Sequence, residues 1–139
     1  MKIRLDDVMQ SLSYPFQAVY YYYIPLETVL MFMGGRIYGK AVYGISTEED
    51  LLKRSGEYIK LPEIGEEGRI KVMKAFVGTI PGSDWFEELK DLDEDERMLY
   101  FENAVRERHL LIKWFNYRDE VYMEFSQRWC SENGLELIE

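Results

Sequence analysis

The sequence predicts an α+β fold in which a small antiparallel sheet packs against helices. Three features point to it. The run Val19-Tyr20-Tyr21-Tyr22-Tyr23-Ile24 joins β-branched and aromatic residues that suit a pleated surface. Glycine and proline then punctuate the chain as far as residue 82, and neither occurs between 83 and 133, where long helices fit. With 139 residues, 47% hydrophobic and 15% aromatic, the chain is one domain's worth and can fill a single core. The expected partition is a helix and hairpin over residues 1–45 and a helical part over 46–139.

Leu5, Val8, Met9 and Leu12 recur at helical spacing, with Asp6 and Asp7 in the first turn where negative charge suits a helix N-terminus. Pro15 stops that helix, and residues 17–24 form the first strand. Pro25 holds φ near the value needed in a turn, so residues 24–27 reverse the chain into an antiparallel second strand over 28–33. Gly34-Gly35 gives a further reversal, and residues 36–43 alternate loosely as a third strand weakened by Gly39.

From Ser46 the period changes. Ser46 or Thr47 caps a short helix with Glu48, Glu49 and Asp50 in its first turn, Leu51 and Leu52 turned inward, and Gly56 at its end. Residues 58–61 are extended, because Leu61 precedes Pro62, and can add an edge strand. Ile70, Met73, Val77 and Ile80 mark a helix that Pro81-Gly82 terminates, and Ser83 or Asp84 caps another carrying Trp85, Phe86, Leu89 and Leu92. In the last block, Met98, Phe101, Val105, Ile112 and Phe115 lie on one face, and Leu110, Trp114, Tyr117, Val121, Phe125 and Trp129 on another. The shift of face predicts two helices meeting near His109 or Asn116, closed by Asn133-Gly134.

Charge narrows the function classes. With 26 acids against 17 bases and a formal charge of −9, the chain has no broad grip on nucleic-acid phosphates or an anionic leaflet, and a basic partner fits it better. No stretch approaches the ~18 apolar residues of a membrane span. The lone Cys130 forms no internal disulfide, and Asp6 and Asp7 lie where a secretory segment would be apolar, so the expected compartment is the cytoplasm.

The candidate chemical motifs are sparse. Asp91, Asp93 and Asp95 with Glu102 at position twelve match the oxygen spacing of a calcium loop, but its sixth position is Glu96 where a sharp turn needs glycine. The only histidine, His109, has no serine or cysteine nearby as a nucleophile, and Cys130 beside Trp129 reads as a core thiol. No glycine-rich phosphate cradle occurs, so neither a cofactor nor a metal is called for. Tyr20 to Tyr23 alternate between the two faces of a strand, which splits them into two pairs. With apolar bulk on both faces the strand is expected inside a packed layer, or else one pair is core and the other, Tyr21 and Tyr23, is a protein-contact surface.

Several landmarks in order carry a resemblance: Ile3-Arg4-Leu5-Asp6-Asp7, the tyrosine-rich strand followed by Leu26-Glu27-Thr28, and Tyr58-Ile59-Lys60-Leu61-Pro62-Glu63-Ile64. To these are added Trp114-Phe115-Asn116-Tyr117-Arg118-Asp119, Trp129, and Asn133-Gly134-Leu135-Glu136. In these the chain resembles a family of short acidic bacterial proteins of unknown function. It departs from that family in the glycine-rich 34–44 stretch and around Tyr100-Phe101-Glu102. The resemblance implies a bacterial cytoplasmic protein and directs attention to Trp114, Tyr117, Arg118 and Asp119, which combine aromatic rings with an ion-pairing dipeptide fit for docking. The functional expectation is a non-enzymatic binding or regulatory protein acting through protein contacts. The alternatives are a metal-dependent hydrolase using the acids at 91, 93 and 95, and an acidic nucleic-acid mimic that occupies a basic DNA-binding protein.

Overall fold

The computed structural model describes residues 1–13, 18–81, 89 and 91–138. Its elements run β1 (Lys2–Arg4), α1 (Leu5–Ser13), β2 (Ala18–Tyr23), β3 (Thr28–Met33), β4 (Arg36–Tyr38), α2 (Glu48–Leu52), β5 (Tyr58–Lys60), α3 (Gly65–Val77), α4 (Glu94–Glu107), α5 (Leu111–Glu132) and β6 (Glu136–Ile138). The fold is α+β. Strands β4-β3-β2-β5 form an antiparallel sheet, and β1 pairs in parallel with β6. The helix expected over 83–92 falls largely outside the described residues.

The chain divides into two compact units, Met1–Glu63 with Met123–Glu139, and Ile64–Tyr122. The boundary between the units lies at Glu63/Ile64, beyond the 45/46 partition of the sequence reading. Residues 46–63 belong with the sheet because β5 pairs with β2, Tyr23 opposite Tyr58, and α2 packs through Leu51 on the sheet's outer face.

In the first unit the hairpin register sets Tyr20 opposite Met31, Tyr21 opposite Leu30 and Tyr22 opposite Val29. Its reversal is a 3-10 turn through Pro25 that ends at Glu27 with φ 46°. Gly34 and Gly35 both have positive φ, 58° and 81°, the pair that a two-residue turn between twisted strands demands. The third strand stops at Tyr38 rather than 43, since Gly39 turns away at φ 85°. Alternation then builds two cores. Tyr20 and Tyr22 face Ile3, Val8, Leu61, Cys130 and Leu135, whereas Tyr21 and Tyr23 face Leu30, Phe32, Ile45 and Leu51. Tyr21 lies edge-on to Phe32 at 5.8 Å and to Tyr58 at 5.6 Å, contacts worth about 0.5–1.5 kcal/mol each beyond burial.

The second unit packs Met73, Phe76 and Val77 of α3 against Leu89, Phe101, Val105 and Trp114. The turn between α4 and α5 centres on His109, whose φ is 57°; the Leu110 N–H reaches the Val105 carbonyl at 2.8 Å, and Asn116 lies inside α5. The same closing bond recurs where the Leu135 N–H meets the Cys130 carbonyl at 2.8 Å beside Gly134, φ 68°. Two inward expectations fail: Leu52 and Ile112 are exposed. A five-residue helix presents one position to the sheet, and Leu51 takes it.

Candidate functional site

Tyr21 and Tyr23 are not a contact surface, because both are buried along with Tyr20 and Tyr22. The reason is that α2 and its flanks cover the outer face. The Tyr21 hydroxyl donates to the Glu48 carboxylate at 2.8 Å, and the Arg54 guanidinium donates to the Tyr23 hydroxyl at 2.8 Å. Burial, reinforced by Glu48, pushes the Tyr21 hydroxyl well above its ordinary pKa.

The second set also separates. Trp114 is core, its ring 4.7 Å from Phe101 and 5.4 Å from Phe76, with no acceptor for its indole N–H among the described residues. Tyr117 is half-buried, 5.5 Å from Phe76. Arg118 stacks over Phe115 at 4.9 Å and pairs with Asp119 at 3.2 Å. Of the four, Arg118 and Asp119 form a partly exposed ion pair with each other.

The remaining candidates have structural employment. The Asp93 carboxylate accepts from the Glu96 N–H at 2.9 Å and caps α4, so these acids begin a helix instead of wrapping an ion. Among the described residues no three His, Cys, Asp or Glu side chains are grouped to hold a metal. Burial pushes the Cys130 thiol up to about 11, which leaves little thiolate at neutral pH.

What the structure adds is a cleft on the inner face of the sheet in the first unit. Two adjoining hollows, of about 300 and 230 Å³, share Asp7, Val29 and Lys40. Their floor includes Tyr20, Tyr22, Val29 and Met31, and the end of β4 supplies Tyr38 and the turn after it Lys40 to the rim. Lys2 and Arg4 enter from β1, whose alternation buries Ile3 and leaves both neighbours exposed. The Lys40 ammonium donates to the Thr28 hydroxyl, and the Tyr22 hydroxyl donates to the Lys2 carbonyl at 2.9 Å. Arg4 reaches Asp6 at 3.8 Å, an exposed pair of small worth. An apolar floor with a few converging polar groups is the general form of a binding site.

No family model matches the chain, and none of the curated proteins or solved structures compared with it does so either.

Sequence reasoning missed this cleft because its walls come from five separate segments. One local signal was present: Lys2 and Arg4 flank Ile3, and alternation of that kind puts two cations on the face away from the core.

Proposed function

We propose that this chain is a non-enzymatic binding protein acting through protein contacts, and that the cleft of the sheet unit is the contact surface. One observation carries the reading: a cleft with an apolar floor, whose rim brings Lys2, Arg4 and Lys40 together with Asp7 and Glu27, is flanked by Tyr38, 61% exposed. Tyrosine anchors protein contacts well, because it brings a large rigid ring and a polar tip at low entropic cost. The turn beyond it holds Tyr43, 99% exposed, in a position where no packing role accounts for the ring. We take the compartment to be the bacterial cytoplasm, on the strength of the family resemblance and the lone cysteine.

A photo-crosslinking residue at position 38 tests the reading, with position 100 on α4 as control. The expected result is a crosslinked protein at 38 that is absent at 100 and lost when Lys40 and Lys2 are neutralised. Equal crosslinking at both positions, or none at 38, overturns it.

A further inference from the structure

The rim charges identify the occupant, given the cleft reading above. Several basic side chains pair with a neighbouring carboxylate: Lys53 with Glu49, Lys60 with Glu63, Arg97 with Glu66. Lys2 and Lys40 differ. Asp7 and Glu27 line the same hollow, yet neither comes within ion-pair distance of either ammonium. In a chain of net charge −9, the cleft thus holds two cations with no carboxylate of the described residues in ion-pair distance, and Arg4 beside them in only a long, exposed pair.

We propose that the cleft receives an extended acidic segment of a partner protein. Its carboxylates meet Lys2, Arg4 and Lys40, while its apolar side chains rest on Val29, Met31 and Tyr38. Val29 and Met31 lie two residues apart on the same strand face, and an extended segment repeats its side chains at that same interval, ~7 Å. The net negative charge does not forbid this, since charges beyond ~8 Å are largely screened at physiological salt and the local rim governs contact. A basic partner remains favoured elsewhere on the surface; at this cleft the complement is acidic.

A blocked hexapeptide of alternating glutamate and leucine, and its counterpart with lysine for glutamate, test the proposal on the full chain. The readout is the amide NMR resonances of residues 28–31 and 38–40. The glutamate peptide is expected to shift them. Its affinity should fall about fivefold in Lys2→Gln/Lys40→Gln, as for two exposed ion pairs, and fall again with added salt. Both sites are exposed, and an unchanged circular dichroism spectrum shows that the variant is folded. Tyr38→Ala should weaken the peptide without altering its salt dependence. Stronger binding by the lysine peptide at these resonances overturns the acidic occupant but leaves the contact surface standing. Full affinity in the double variant, or no shift with either peptide, also overturns it, and the crosslinking at 38 then judges the cleft independently.

Discussion

The Arg97 guanidinium lies 2.9 Å from the Glu66 carboxylate, yet the two side chains live in different media, 8% and 51% exposed. Arg97 also donates to the Leu89 carbonyl at 3.0 Å and the Leu92 carbonyl at 2.6 Å. It thereby ties the segment before α4 to the first turn of α3. Removing it takes away the side-chain donor to both carbonyls and leaves Leu89, among the described residues, only the Leu92 N–H at 3.3 Å, so Arg97→Met should cost about 2–4 kcal/mol. Glu66→Gln, which breaks only the half-exposed pair, should cost under about 1 kcal/mol. Urea unfolding measures both, and equal losses would show that the pair outweighs the carbonyl bonds.

The joints at His109 and Gly134 use one geometry with different residues. A left-handed conformation costs a side-chain-bearing residue about 1 kcal/mol more than glycine. His109→Gly should therefore stabilise the chain by about 1 kcal/mol, and Gly134→Ala should destabilise it by a similar amount. No atom lies within 4 Å of a Cβ built at Gly134, so the loss there reports backbone conformation without a clash. Thermal unfolding of the two variants gives both signs.

Alkaline pH should destabilise the fold in a defined window. The thiol of Cys130 is raised from 9.0 to about 11, so between those values the unfolded chain loses its proton while the folded chain keeps it. The unfolded state then binds fewer protons, and stability, level below pH 9, falls as pH rises towards 11. The buried hydroxyls of Tyr21, Tyr22 and Tyr122, all raised, extend the loss above pH 10. Melting temperature against pH checks this: Cys130→Ala should flatten the slope between 9 and 11, whatever its cost at neutral pH.

At the acid end the cap of α2 governs. The Asp50 carboxylate accepts from the Ser46 N–H at 2.9 Å and the Thr47 N–H at 3.1 Å, which holds it below its usual pKa. Its contribution is present above the ordinary value of 3.8 and is lost as pH falls through the lowered one. Asp50→Asn should shallow the acid limb of the stability curve. Thr47→Ala, which removes the reciprocal acceptor for the Asp50 N–H, should cost about 1 kcal/mol at neutral pH.

Local pattern made the hairpin, the Thr47 cap and the break at His109 readable, because each depends on residues adjacent in the chain: Pro25, a capping box, a shift of helical face. The pairing of β1 with β6 was not readable, since three-residue strands carry no period and their partners lie at opposite ends of the sequence. Burial of both tyrosine pairs stayed undecided in the sequence for a related reason. Alternation assigns side chains to two faces, but whether a second layer covers one of them depends on where residues 45–54 return, and Leu51, Glu48 and Arg54 decide that in space. The cleft was hidden in the same way, with Lys2 and Lys40 meeting only through the sheet.

The order of the units along the chain bears on synthesis. The second unit is one continuous stretch, so its core residues have all left the ribosome once α5 has begun to emerge. The sheet unit is interrupted, and β1, made before the second unit, must wait for β6, made after it, before their ladder closes. During that interval Ile3 and the inner tyrosine face lack Leu135 and Cys130, leaving exposed apolar surface that a chaperone could hold.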